Sequence, residues 1–361
     1  MGQQIIHGLS NAEALLMGRK FLLVRGNSYD YLEIKDIFNR YSHVEFTDFT
    51  SNPLYEQVCK GVKLFNREGC DMVVAVGGGS AIDVAKCIKL YCKMNSNINY
   101  LKQTVFDTGI PLLAVPTTAG TGSESTCHAV IYYEGIKQSI SHHSIVPDYA
   151  VLEPSVLKIL PIYQKKCTML DALCQAIESW WSVNSTDESK VYSAQAIDVI
   201  KANWREYIFA NTDVSAAKVM EAANLAGCAI NITATTAAHA MSYKVTSIFG
   251  LPHGHAVAIC IPEVWEYMLR HIDECTDPRG TDYLKNVLCE ISEKMDLAYF
   301  KDMLQQLEMA YPVSLNKETD LDSLAASVNP IRLKNNPVAL DTEILREMYG
   351  RIVVNARNRK R

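Results

Sequence analysis

The sequence predicts a protein that is α/β in its N-terminal part and all-α after it, divided as 1–155 and 156–361. Short β-rich runs alternate with helical stretches through the first 150 residues, whereas beyond about Pro154 glycine thins out and long apolar periodicities of helical type take over. A chain of 361 residues also exceeds what one hydrophobic core usually holds, which makes two domains the natural division.

In chain order, Phe21-Leu22-Leu23-Val24 is the first predicted strand, followed by the turn residues Gly26-Asn27-Ser28. Val44-Glu45-Phe46 is the second. Met72-Val73-Val74-Ala75-Val76 is the third and runs straight into Gly77-Gly78-Gly79-Ser80. Pro111-Leu112-Leu113-Ala114-Val115 is the fourth, ending at Pro116-Thr117-Thr118. Strands apolar almost throughout, with helices between them, imply a parallel sheet covered on both faces. Helices are predicted over Ala172–Trp181, Ser193–Tyr207 and Ala216–Ala238. No internal repeat and no low-complexity linker interrupts the chain.

Hydrophobic residues at 48% and charged residues at 21% are the balance of an ordinary folded protein. The net charge is −5, and the only basic cluster is the tail Arg357 to Arg361, so nucleic acid is not an expected partner. The eleven cysteines are irregularly spaced and form no CxxC pair; they read as reduced thiols of a cytoplasmic protein. Met1-Gly2-Gln3-Gln4 lacks the start of a secretory signal, and no stretch reaches the apolar length of a membrane span.

Val73 to Lys86 reads VVAVGGGSAIDVAK: a buried strand, a glycine turn, then a helix. Glycines there let backbone approach a diphosphate, and the helix N-terminus presents free N–H groups with partial positive charge. Ser80 can cap the helix or bond a phosphate oxygen. Alone, the triplet would read as a capping turn, since it matches neither GxGxxG nor a Walker loop. A second loop, Pro116 to Glu124 (PTTAGTGSE), also follows a strand and offers clustered hydroxyl and amide donors. Two such loops at strand C-terminal ends fit the place where open α/β sheets bind ligands, so the first domain reads as Rossmann-like and dinucleotide-binding.

Asp171 to Glu178 reads DALCQAIE on a predicted helix, with Asp171 and Gln175 one turn apart on one face. His239 lies near the end of a helical run, and His253 follows a turn 14 residues later. One carboxylate and two imidazoles suit a divalent transition metal such as Fe²⁺ or Zn²⁺ with positions open to substrate. From spacing alone, Asp171 as a helix cap and His253 as a loop histidine remain open.

Together, GGGSxxDxAK, PTTAGTGSE, DALxxAIE and HAM…PHG, in that order from about Gly18 to Asn336-Pro337, resemble the iron-containing (group III) alcohol dehydrogenase family. The resemblance implies the dehydroquinate synthase-like fold of that family and NAD(P)-dependent interconversion of small aldehydes and alcohols. It places Gly78, Gly79 and Ser80 on the pyrophosphate loop with Asp83 behind them, as a cofactor-side and catalytic position. It also places Thr117, Thr118, Lys137, Asn52 and Gly26 around the cofactor, and Asp171, His239 and His253 at the metal. A homodimer is the implied assembly.

Three departures from the family pattern stand out. Gln175 replaces a histidine ligand, leaving an Asp/His/His set similar to the three-ligand, zinc-dependent glycerol dehydrogenases. Tyr243 replaces a second histidine near the reacting centre, where a phenol could donate a proton or simply pack. Gly26 stands where NAD-preferring members often carry an Asp; with Arg25 beside it, NADPH is the expected cofactor, NADH the alternative. The stretch DALCQAIESWWSVNS resembles the phosphonoacetaldehyde reductase branch, which implies phosphonate biosynthesis and a cationic group for the phosphonate; Lys244, His142, His143, Arg332 and Lys334 are the candidates. The alternatives are a short-chain aldehyde or diol dehydrogenase, a metal-free reductase, and a non-redox lyase similar to dehydroquinate synthases. Trp180-Trp181 reads as core, substrate wall or dimer contact.

Overall fold

A computed structural model describes residues 2–314 and 316–355, so the basic tail Arg357 to Arg361 lies outside the described residues. The chain divides into two compact units: Met1–Pro161 with Phe209–Gly227, and Ile162–Ile208 with Cys228–Arg361. The expected boundary at 155/156 thus moves to Pro161, and a later stretch of chain returns to the first unit.

The first unit is built on a six-stranded sheet of β1 (Gln4–His7), β2 (Phe21–Arg25), β3 (His43–Phe46), β4 (Met72–Gly77), β5 (Leu112–Pro116) and β8 (Tyr149–Leu152). Every pairing is parallel, in the order β1-β8-β5-β4-β2-β3. β4 and β5 are buried at every position, which is what an uninterrupted apolar strand requires. α1 (Lys35–Phe38), α2 (Tyr55–Arg67) and α3 (Gly79–Tyr91) belong to this unit; Val58, Val62 and Phe65 of α2 and Ile82, Val84 and Ile88 of α3 share one core with Val73 and Ala75 of β4. Four strands of this unit escaped the sequence reading. β1 is a mostly exposed edge with no apolar run, β8 is only four residues long, and β6 (His128–Tyr133) with β7 (Ile136–Ser141) forms a separate antiparallel hairpin.

The second unit is helical: α4 (Ile162–Trp181), α5 (Asp187–Arg205), the end of α6 (Asp213–Thr233), α7 (Ala237–Phe249), α8 (His253–Arg270), α9 (Thr281–Lys294), α10 (Leu297–Gln306), α11 (Lys317–Ala326), α12 (Pro330–Leu333) and α13 (Thr342–Ile352). α4 packs against both α5 and α8, and α7 against α8. The single helix expected over Ala216–Ala238 is in fact two. Ala234 takes a left-handed φ of 55°, ending α6, and α7 starts three residues later. That conformation costs a non-glycine residue roughly 1–2 kcal/mol, which is offset by the contacts Thr236, Ala238 and His239 make with a buried carboxylate. Trp180 and Trp181 are core: Trp181 packs edge-on to Trp265 at 5.6 Å, and its indole N–H donates to Thr236 Oγ1. No described helix is long and apolar enough to cross a membrane.

Candidate metal centre and cofactor loops

In the first unit, the chain runs from β2 out to edge strand β3, returns to β4 on the other side of β2, and continues to β5 and β8. The strand order therefore reverses between β2 and β4, and such a reversal leaves a crevice beyond the strand C-termini. Gly26 closes β2 and Gly77 closes β4 at that point. A Cβ on Gly77 would lie 2.6 Å from Ala81 Cβ and 3.3 Å from the Gly26 amide, so only glycine lets strand, turn and helix come this close. Gly78 and Gly79 then open α3. Ser80 Oγ donates to Ser51 O at 2.5 Å, which ties the turn carrying Asn52 to the start of α3. The Thr117 amide donates to Gly77 O at 3.0 Å, so the two loops are hydrogen-bonded neighbours, with Thr118 facing Gly78. Gly26, Asn52, Gly78, Gly79, Ser80, Thr117 and Thr118 thus gather at one end of the sheet, while Lys137 lies on the hairpin opposite Tyr132.

Asp83, expected at a cofactor-side and catalytic position, has both carboxylate oxygens engaged by protein. One oxygen accepts from Ser123 Oγ at 2.6 Å and the other from the Val130 amide at 3.0 Å, so it fastens the β6–β7 hairpin to α3. Lys86, one turn on, is wholly buried and donates to Thr126 O at 2.7 Å, His128 O at 2.8 Å and the hydroxyls of Ser123 and Thr126 at 3.1 Å. The D-x-A-K part of the motif is therefore a structural fastener. Arg25 is not a free cation either: it donates to Glu45 at 2.8 Å and to Asp30 at 3.3 Å.

In the second unit, α4 presents Asp171, Gln175 and Glu178 from one buried face. α7 brings His239 and the N-terminus of α8 brings His253. Asp171 Oδ1 lies 3.4 Å from His239 Nε2 and 3.8 Å from His253 Nε2, and the three donor atoms all fall within 4.8 Å of one another. Donors about 2.1 Å from one ion sit roughly 3.0–3.4 Å apart in tetrahedral or octahedral geometry, so the set is close to ligation distance. Asp171 Oδ1 and His239 Nε2 are also buried without a hydrogen-bond partner. Buried polar atoms seldom go unsatisfied, and a cation between them would satisfy both. Gln175 sits one turn beyond Asp171, likewise buried.

The other imidazole nitrogens face protein acceptors. His239 Nδ1 makes a short contact with Glu178 Oε2, while Glu178 Oε1 accepts from Thr236 Oγ1 at 2.7 Å and from the Ala238 amide at 2.8 Å. His253 Nδ1 lies 3.3 Å from Ser242 Oγ, which itself donates to His239 O at 2.8 Å. With the Nδ1–H groups donating outward, both Nε2 lone pairs turn inward, the arrangement a metal site needs. With no cation between them, burial opposes a charged His239, but Glu178 and Asp171 outweigh it and carry its pKa up to about 9, so a metal ion would take the place of the Nε2 proton. Burial opposes the Asp171 carboxylate too, yet His253 and His239 hold it below its ordinary range. Glu178 has no role in the sequence reading, although it stands seven residues after Asp171 and so on the same face. Tyr243 stacks on His253, rings 5.5 Å apart and 5° from parallel, and its hydroxyl accepts from Arg332 Nη1 at 2.9 Å. Of the other expected cations, Lys334 is exposed, Lys244 is half-buried, and His142 and His143 belong to the first unit.

Residues 3–154 match the family of iron-containing alcohol dehydrogenases, and residues 166–349 match its C-terminal part. A probable alcohol dehydrogenase, EutG, of Escherichia coli (strain K12) is 34% identical over 60% of this chain and 56% of its own length, so the match spans little more than half of that relative. The phosphonoacetaldehyde reductase of Streptomyces viridochromogenes is 31% identical over 78% of this chain and 75% of the relative. Among solved structures, the sulfoacetaldehyde reductase of Bifidobacterium kashiwanohense, in complex with NAD⁺, has a TM-score of 0.83 at 25% identity, covering 97% of this chain and 96% of that one.

Proposed function

The chain belongs to the iron-containing alcohol dehydrogenase family, and on that premise we propose that it is a metal- and nicotinamide-dependent reductase of a short aldehyde, with phosphonoacetaldehyde, reduced to 2-hydroxyethylphosphonate, as substrate. The observation that carries the reading is the convergence of Asp171, His239 and His253 around two buried, unsatisfied polar atoms. The likeness to a phosphonoacetaldehyde reductase supports the substrate.

When bound, the metal would polarise the carbonyl as a Lewis acid and the nicotinamide would supply the hydride. The protein's own part is placement. Asp171, His239 and His253 would hold an Fe²⁺ or Zn²⁺ ion, with Gln175 as a weaker fourth donor, while Glu178 and Ser242 keep both imidazoles turned inward. Tyr243, against His253, is the group we assign to give the proton the product needs, since a phenol O–H can donate. Gly26, Gly78, Gly79, Ser80, Thr117, Thr118, Asn52 and Lys137 would receive the dinucleotide. Preference for NADPH keeps the support of Gly26, which leaves room for a 2′-phosphate, but loses that of Arg25, already paired with Glu45 and Asp30. Eleven free thiols suit a reducing cytoplasm, and a homodimer is the assembly we expect by light scattering.

The deciding experiment follows NADH and NADPH oxidation with phosphonoacetaldehyde, propanal and lactaldehyde, before and after chelation, then with Fe²⁺ or Zn²⁺ restored. Turnover should vanish on chelation and return with metal. Activity that survives thorough metal removal would overturn the metal reading, and silence with every aldehyde would overturn the reductase reading.

A further inference from the structure

We propose that Arg332 is the residue that chooses the substrate: its guanidinium takes the anionic end of a short aldehyde, so that aldehydes bearing a phosphonate or sulfonate are preferred over neutral ones. The inference rests on reading the Asp171/His239/His253 centre as an aldehyde reductase site, and adds to it the group that discriminates among aldehydes.

The guanidinium is one ring away from a metal ligand. Arg332 Nη1 donates to the Tyr243 hydroxyl at 2.9 Å, its Cζ stands 5.2 Å from the Tyr243 ring centroid, and that ring lies parallel to the His253 imidazole. Among the described residues no carboxylate answers its charge. Arg270, Arg279, Arg346 and Arg351 of the same unit each pair with a carboxylate, whereas Arg332, although half-buried, pairs with none among the described residues. Its one side-chain hydrogen bond there is to a neutral phenol. Of five N–H donors, the rest of the fork stays available for two parallel bonds to a tetrahedral anion, the partner a planar guanidinium fits best.

The placement is built rather than incidental. Just after α12, which carries Arg332, Asn335 O accepts from the Val183 amide at 3.0 Å, Asn335 Oδ1 accepts from Asn184 Nδ2 at 3.1 Å, and Asn335 Nδ2 donates to Thr235 O at 3.1 Å. Val183 and Asn184 stand two and three residues after α4, which carries Asp171, and Thr235 stands two residues before α7, which carries His239. The elements that position the metal ligands therefore also position Arg332. Lys334, two residues on, is exposed.

The test uses the full-length, metal-loaded protein and its Arg332→Met and Arg332→Lys variants, with phosphonoacetaldehyde, sulfoacetaldehyde and propanal as substrates. Arg332→Met should lower the ratio of kcat/KM for either anionic aldehyde to that for propanal about ten- to a hundredfold, the range of one lost charge-assisted contact, chiefly through KM for the anions; any loss through the Tyr243 hydroxyl falls on all three substrates alike. Arg332→Lys should recover part of the loss. Calorimetry with ethylphosphonate gives a readout free of turnover: wild type should bind it and Arg332→Met should not. An equal loss on propanal would mark Arg332 as structural and overturn the inference. So would a wild-type enzyme that reduces propanal as well as the anions, although the reductase reading would then stand. If neither aldehyde class is reduced, both fall. A response to phosphonate but not sulfonate narrows the ligand to the dianion and supports the inference.

Discussion

Glu178 spends both carboxylate oxygens on the first turn of α7, one on Thr236 and the Ala238 amide, the other on the His239 ring. In Glu178→Gln the amide oxygen can keep the first set, but an NH₂ group then faces Nδ1–H and His239 loses its orientation. Metal affinity should fall roughly 10- to 100-fold, as for other second-layer partners of metal-bound histidines, with little change in helical content; a competition titration against a chelating dye reads this without turnover. Unchanged affinity would leave Glu178 a helix-capping group only. Arg25 makes the opposite case. Because Glu45 and Asp30 already hold it, Arg25→Ala should shift the NADPH-to-NADH ratio of kcat/KM by less than about threefold, within the small range typical of exposed charges; a selective tenfold rise in KM for NADPH would restore it as a reader of the 2′-phosphate. Sequence showed the residue types at the candidate metal centre because their chemistry is legible one letter at a time. It could not show that Arg25 is neutralised, since Glu45 is 20 residues away and reaches it only across paired strands.

At the scale of elements, α4 and α8 carry Asp171 and His253, and their separation is set by Gly254. A Cβ there would stand 2.0 Å from Cys167 O and 2.9 Å from Asp171 Cβ, a backbone clash that no rotamer relieves. Gly254→Ala must push α8 off α4, which we expect to cost about 1–3 kcal/mol, seen as a lower Tm, together with weaker metal binding as the two ligands part. A Tm within a degree of wild type and undiminished affinity would show that the helices slide freely. The central strands and long helices were legible because their periodicity or unbroken apolarity is strong. The break between α6 and α7 was not: no proline or glycine marks it, and Ala234 turns left-handed because of contacts made to α4, which is far off in sequence. β1 and β8 were invisible for a related reason, being too short to outvote their surroundings.

At the scale of the molecule, Lys86 links the first unit to pH. Burial pulls its ammonium from 10.5 to about 8, against Asp83 and Glu124. Between those values the folded protein holds fewer protons than the unfolded chain, so this group's contribution to stability rises with pH through the window and is least below about 8. The buried thiols and phenols titrate alike in both proteins, so the urea midpoint of wild type minus that of Lys86→Arg, which does not titrate there, should increase between about pH 8 and about pH 10. Parallel profiles would mean that Lys86 keeps its proton. The segment Phe209–Gly227 has a different consequence. It belongs to the first unit although 47 residues of the second precede it, and Asn224 of this segment supplies donors to the buried Glu124 and to Ser125. A gene cut after Pro161 would therefore yield a fragment with part of its own wall missing. Exchange of the first unit between related genes would need two crossovers instead of one, and chimaeras of it should fold only when both pieces travel together.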